Sequence, residues 1–320
     1  MIGVRKMYYI GIDLGGTNIA AGIVDENYNI VKKGSTPTLA NREPEEIIKD
    51  MGNLCMRLLN ETGIDVSEVA HAGIASPGSI DPKDGIVVYS NNLPFSQFPI
   101  VKLLKKYLPV ENIYIENDAN AAALGEAMGG AAAGAEISVM ITLGTGLGGG
   151  VIINGKVYSG FNFAGAELGH TVVQYDGADC TCGRKGCWEA YSSATALVRM
   201  TREKMAEAPD SLMWEMTEGK LEKASARTAF AAMKQGDKAG AEVVDKYIGY
   251  LACGITNMID LFHPNVLCIG GGVCNERDYL LKPLTALVEA NFKGKEYKTK
   301  ICIAELGNDA GIVGAAAITG

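Results

Sequence analysis

His170, Cys180, Cys182 and Cys187 occur in one short run, at successive gaps of ten, two and five positions. One imidazole and three thiols so spaced can close around a single tetrahedral cation, and that donor set suits zinc. Glu167 and Glu189 bracket the run, and neither is needed as a ligand. The metal would then pin a loop, leaving Glu167, Glu189 and one face of His170 to meet something else. The alternative is a group of free cysteines in a Gly-rich loop.

A second set of residues could hold phosphate. Asp13-Leu-Gly-Gly-Thr17, Leu143-Gly-Thr-Gly146 and Gly270-Gly-Gly-Val273 each end a run that reads as a buried strand. Glycines there let backbone N–H groups approach an anion closely, and ligands collect at such strand ends in α/β sheets. Thr17 and Thr145 add hydroxyls. No Gly-x-x-x-x-Gly-Lys-Ser/Thr P-loop is present. Gly144-Thr-Gly-Leu-Gly-Gly149 matches the dinucleotide pattern GxGxxG, but Gly150-Val-Ile-Ile continues as a strand, where a dinucleotide turn must open a helix. A hairpin bending over a phosphate fits better. Asp118 follows the strand Ile113-Tyr-Ile-Glu116 at the start of an Ala-rich helix. A carboxylate there is rigidly held for proton transfer, or simply caps the helix. Asp13 either holds metal-bound water beside phosphates or is a turn residue at a strand end.

The elements that position these residues alternate between strand and helix. Strands are expected at 7–13, 18–25, 29–37 and 69–76, with a helix from Pro44 to about Asn60. A loop-rich section carries Pro77, Pro82, Pro94 and Pro99, followed by a helix at 100–107. The Gly/Ala run 129–135 reads as a boundary. Strands at 136–143 and 149–158 then repeat the order strand, glycine turn, strand. Residues 189–263 read as mainly helical, and the stripe Tyr247, Ile248, Leu251, Ile255, Met258, Ile259 and Phe262 reads as core or a subunit contact, core being the default. The chain thus divides into an α/β lobe at 1–128 and a second α/β lobe at 129–306 carrying the cysteine loop, with a final helix at about 307–320.

With 320 residues and 48% hydrophobic composition, the chain can bury a core in each of two domains. A net charge of −8 argues against nucleic acid or an anionic membrane as partner. Cys55, Cys253, Cys268, Cys274 and Cys302 are scattered among apolar residues, as in a reducing compartment. Arg5-Lys6 precedes an apolar run that Asp13 cuts short, so no signal peptide is expected, and no stretch approaches the roughly 20 apolar residues that span a bilayer. A cytoplasmic location is expected.

Taken together, Asp13-x-Gly-Gly-Thr17, Glu116-Asn-Asp118-Ala-Asn120, Leu143-Gly-Thr-Gly146, Glu167-x-Gly-His170, Cys180-x-Cys182-Gly-x-x-Gly-Cys187-x-Glu189 and Gly307-Asn-Asp-Ala-Gly-Ile-Val-Gly314 resemble the ROK family of sugar kinases and related repressors, over the whole chain. The resemblance implies an actin-like (ribonuclease H-like) fold of two α/β lobes with a cleft between them, the C-terminal helix returning to the first lobe. It implies ATP, Mg²⁺ and a structural Zn²⁺ on His170, Cys180, Cys182 and Cys187, with Asp118 as general base toward a sugar hydroxyl. Asp13, Gly15, Gly16, Thr17, Asn18, Gly144, Thr145 and Gly146 would meet the nucleotide phosphates, and Gly271, Gly272 and Gly311 the adenosine. Asn117, Glu167, His170 and Glu189 would bind the sugar. Gly78 and Asn92 are placed there too, or are turn residues. The motifs look most like the glucokinase members, implying phosphorylation of glucose at its 6-hydroxyl. N-acetylmannosamine, N-acetylglucosamine, fructose and mannose remain alternatives, as does a sugar-responsive regulator or sensor without catalysis. The partners implied are hexose and ATP, and a second copy of the chain in a homodimer.

Overall fold

The computed structural model describes residues 7–292 and 297–319. Arg5, Lys6 and Gly320 lie outside the described residues. The chain opens with β1 (Tyr8–Leu14), β2 (Asn18–Val24) and β3 (Ile30–Pro37). Ile10, Ile12 and Leu14 are completely buried on β1, and the turn to β2 is closed by Gly15 N–H donating to Asn18 O at 2.9 Å. Helix α1 (Pro44–Thr62) starts with proline in its first turn, where no backbone donor is missed, and Glu45 and Glu46 complement its positive end. It stops at Gly63, which takes a left-handed φ of 69°. Strand β4 (Val69–Ser76) follows, running parallel to β1.

Residues 77–99, expected to be loop, contain three short strands, β5 (Ser79–Asp81), β6 (Ile86–Tyr89) and β7 (Ser96–Phe98), which pair into a small antiparallel sheet. The prolines flank these strands and do not interrupt them, which is where proline is tolerated. Helix α2 (Ile100–Leu104) is shorter than expected, turning at Lys105–Tyr107. Strand β8 (Ile113–Asn117) leads into α3 (Asp118–Gly129). Then come β9 (Ile137–Leu143), β10 (Leu147–Ile153), β11 (Lys156–Val157), α4 (Glu189–Ser192), α5 (Ala194–Glu207), α6 (Leu212–Met216), α7 (Thr228–Lys234), α8 (Lys238–Phe262), β12 (Val266–Gly270), α9 (Asp278–Asn291), β13 (Lys300–Ile303) and α10 (Ala310–Ala317). Two five-stranded sheets run in the orders β3-β2-β1-β4-β8 and β11-β10-β9-β12-β13.

The chain separates into two compact units, Met1–Ser138 with Gly150–Ala166 and Ala304–Gly320, and Val139–Gly149 with Glu167–Ile303. In the first, Ile47, Met51, Leu54 and Leu58 of α1 join Ile10, Ile12, Ile19 and Ile74 of the sheet in one apolar core. Helix α10 packs on α3, β1 and β4. A Cβ on Gly73 would strike the carbonyl of Ala315, so glycine there allows helix and sheet backbones to meet. In the second unit α8 forms the core helix: Tyr247, Ile248, Leu251, Ile255, Met258 and Ile259 are buried, and Phe262 is half-buried. Asp237 caps α8 by accepting from Gly240 N–H at 2.9 Å, and Tyr247 donates its hydroxyl to Ser192 O at 2.8 Å. The helical stripe read from the sequence is therefore core. No helix among the described residues is long and apolar enough to cross a membrane.

Candidate functional site

In the first unit the chemistry collects at the ends of β1, β4 and β8. Burial raises the Asp13 carboxyl from the ordinary 3.8 to about 6, and the negative charge of Asp118 adds to the rise. Beyond its backbone pairing in the sheet, Asp13 has no side-chain hydrogen bond or ion pair among the described residues, and its carboxyl lies so close to Gly311 that a Cβ there would come within 2.5 Å of Oδ2. Asp118 is the first residue of α3, yet it is not the cap. Asn117 caps the helix, its Oδ1 accepting from Ala119 N–H at 2.9 Å and Asn120 N–H at 3.2 Å. The Asp118 side chain reaches solvent, but crowding around it still raises its carboxyl above the usual range; a hydrogen bond from Ala119 N–H to Oδ1, at 2.8 Å, opposes the rise. The cap thus falls to Asn117, and Asp118 accepts a backbone N–H in the same turn.

Behind them, Glu116 is only 8% exposed and accepts from Asn117 N–H at 2.8 Å and Asn120 Nδ2 at 3.1 Å. Burial raises its carboxyl too. Asn117 Nδ2 donates to Gly78 O at 3.2 Å, joining two of the expected sugar contacts. Gly78 has φ of 107°, a conformation other residues avoid, and a Cβ there would strike Tyr89 O. Asn92 lies against Gly16, which a Cβ would place 3.3 Å from the Asn92 Cβ. Gly15, Gly16 and Thr17 form the turn between β1 and β2, and Asn18 opens β2.

In the second unit, the metal-type ligand atoms of His170, Cys180, Cys182 and Cys187 all lie within 4.8 Å of one another. Cys180 Sγ is 3.6 Å from His170 Nδ1 and Cys182 Sγ is 3.6 Å from Cys187 Sγ. Those separations match the edge of a tetrahedron with metal–sulfur bonds of about 2.3 Å, so the donor set fits zinc. With Nδ1 in the cluster, His170 keeps Nε2 for another partner. The loop is shaped by Gly186, whose N–H donates to Ala178 O at 2.8 Å, and by Arg184, whose Nη2 donates to His170 O at 2.8 Å. Glu167 precedes the short 3-10 turn Leu168–His170, is exposed, and makes no side-chain hydrogen bond among the described residues.

Glu189 connects this loop to the glycine turn. Its Oε1 accepts from Thr181 Oγ1 at 3.2 Å and approaches Cys180 Sγ at 3.8 Å, while its Oε2 accepts from Leu147 N–H at 2.9 Å. The Gly144–Gly146 turn enters strand β10 and opens no helix, consistent with a phosphate hairpin and against a dinucleotide turn. Gly271, at φ of 92°, backs onto Leu143, whereas a Cβ on Gly272 would meet nothing within 4 Å. Sequence reasoning quoted Glu116 within a motif but gave it no role, and it missed Glu126, Thr38 and Thr195, whose hydrogen bonds hold the turns and the helix end. Of these last three, Glu126 alone carried a signal, as the only acidic residue beyond the first turn of the Ala-rich helix α3.

The ROK family profile matches residues 9–320. The chain is 39% identical to glucokinase of Thermotoga maritima, over 98% of this chain and 97% of that protein. It superposes on a ROK family glucokinase from Streptomyces griseus, solved in complex with glucose and AMPPNP, with a TM-score of 0.76 and 33% identity, covering 97% of this chain and 98% of the other. A ROK hexokinase from Thermus thermophilus gives a TM-score of 0.83 at 31% identity, covering 97% of both chains. With its α/β, actin-like fold and its motifs in place at the strand ends, this chain belongs to the ROK family.

Proposed function

We propose that this protein is an ATP-dependent hexose kinase that transfers the γ-phosphoryl group of ATP to the 6-hydroxyl of glucose. The carrying observation is Asp118, held at the first turn of α3, with the cap taken by Asn117 and its carboxyl raised above the usual range by the crowding around it. Asp118 orients the hydroxyl and takes its proton as the new oxygen–phosphorus bond forms and the bond to the β-phosphate oxygen breaks, releasing ADP. Most of the acceleration then comes from positioning and charge stabilisation.

Asn117, Glu167, His170 and Glu189 bind the sugar hydroxyls, with Gly78 and Asn92 supporting them; the 39% identity to a glucokinase supports glucose as the substrate. The turns Gly15–Asn18 and Gly144–Gly146 hold phosphates, and Gly271, Gly272 and Gly311 line the adenosine. Asp13, a carboxylate without a protein partner, suits a hard cation through water, and Mg²⁺ would there neutralise phosphate charge. Zinc on His170, Cys180, Cys182 and Cys187 would fix the loop before α4 and take no part in the transfer. The cysteines outside the metal loop form no disulfide among the described residues, which suits a reducing cytoplasm. A homodimer is the proposed assembly, tested by light scattering.

The deciding experiment is an ADP-release assay over glucose, fructose, mannose, N-acetylglucosamine and N-acetylmannosamine. The highest kcat/KM is expected for glucose; activity with none of these sugars would overturn the kinase reading. Metal analysis of the purified protein should find about one zinc per chain, the stoichiometry of a Cys₃His site.

A further inference from the structure

Two of the three glycine turns are each tied down by a threonine that no motif includes. Thr38, completely buried just after β3, donates Oγ1 to Gly15 O at 2.6 Å and its N–H to Thr17 O at 2.8 Å. Thr195, in the first turn of α5, donates Oγ1 to Thr145 O at 2.7 Å, while the preceding Ala194 N–H donates to Gly144 O at 2.8 Å. One hydroxyl and one adjacent backbone N–H thus engage two carbonyls in each turn, and each unit contains its own copy of the arrangement.

The planar trans peptide gives these ties a consequence. In each peptide unit the carbonyl of one residue and the N–H of the next point in opposite directions. Holding the Gly15 carbonyl therefore aims the Gly16 N–H the other way, and holding the Gly144 and Thr145 carbonyls does the same for the N–H groups of Thr145 and Gly146. Those three N–H groups have no acceptor among the described residues. The carbonyl oxygens, which would repel an anion, are occupied, and the donors that would attract one are left free.

We propose that Thr38 and Thr195 are positioning residues for nucleotide phosphates: each fixes the peptide planes of one glycine turn so that its free N–H groups meet phosphate oxygens. This rests on the ATP reading above. The two ties contribute to nucleotide affinity and leave sugar affinity unaffected, because neither threonine hydrogen-bonds to an expected sugar contact.

The test compares Thr38→Val and Thr195→Val, which keep shape and delete the donor, with Thr38→Ser and Thr195→Ser, which keep the donor. KM for ATP and glucose, kcat, binding of a non-hydrolysable ATP analogue by calorimetry, and melting temperature are measured for each. One lost hydrogen bond predicts a rise of about three- to tenfold in KM for ATP and in analogue Kd in the valine variants, with KM for glucose within about twofold and recovery in the serine variants. Equal losses for both substrates, or a lower melting temperature with unchanged analogue binding, would overturn the proposal. Thr195 is exposed, so its pair of variants decides the question should Thr38→Val fail to fold. If the wild type shows no kinase activity yet binds the analogue, and the valine variants bind it more weakly, the function reading falls and the positioning role stands. A wild type that binds no analogue ends the positioning role as well.

Discussion

Asp118 and Asp13 give the site an acid–base behaviour that can be read in two independent ways. Replacing Asp118 with Asn removes the proposed proton acceptor and should lower kcat by about 10²–10⁴-fold in a steady-state assay. Burial disfavours the charged form of Asp118, so the same change should leave the melting temperature of the free protein at pH 8 equal or higher. A variant of normal turnover, or one that unfolds, would contradict the assignment. The second reading concerns Asp13. A carboxyl whose folded pKa is raised lends stability that is complete below its unfolded value and is lost as pH rises through the folded one. For Asp13 that loss spans the interval from 3.8 to about 6. The Asp13→Asn variant should therefore lose less stability than the wild type between pH 4 and pH 7, and thermal melts across that range check it. Parallel curves would mean that Asp13 is not buried in this way.

Among the elements, α3 does two jobs from its two ends. Its first turn presents Asp118. Near its last turn Glu126, completely buried, accepts from Ala131 N–H at 2.8 Å, Glu305 N–H at 3.1 Å and Leu306 N–H at 2.8 Å, fixing the approach to α10. Helix α10 in turn brings Gly311 against Asp13. Glutamine has one acceptor oxygen and would set its NH₂ against backbone donors. Glu126→Gln should therefore cost about 2–4 kcal/mol, since each buried group left unpaired costs about 1–3 kcal/mol. Urea unfolding measures this directly, and an unchanged midpoint would show that the three bonds are dispensable. The cysteine loop is the other element set by few bonds. Stripping the proposed zinc should lower the melting temperature and weaken glucose binding together, as metal binding and local folding are linked. Metal-free protein with full stability and sugar affinity would rule out the pin.

At the scale of the whole molecule, two units each carry their own core and their own share of the expected ligand contacts. Ligands that bind only the folded protein must stabilise it by mass action. Glucose or a non-hydrolysable ATP analogue at about 100 times its Kd should each add about 2.7 kcal/mol, visible as a rise in melting temperature. A sugar outside the substrate class should produce no shift. A rise with N-acetylglucosamine and none with glucose would redirect the specificity while keeping the kinase reading.

Much of this was legible in the residue order. The strand-ending glycine turns, the Cys/His spacing and Asp118 are local signals, because phosphate cradles and tetrahedral metal sites demand particular residues at short separations. Strand and helix periodicity likewise placed β1, α1, β8 and the buried stripe of α8. Only the tertiary structure decided which residues serve as supports. Thr38 follows an edge strand and Thr195 opens a surface helix, and neither type in such a place signals a role until folding brings a turn carbonyl within 3 Å of its hydroxyl. The same holds for Glu126, whose partners Glu305 and Leu306 are about 180 residues distant in the chain. Asn117 as the cap, in place of Asp118, also depends on backbone angles that residue identity leaves open, since either residue type caps helices well. Composition and spacing specify the groups that do chemistry; long-range contacts choose the groups that hold them still.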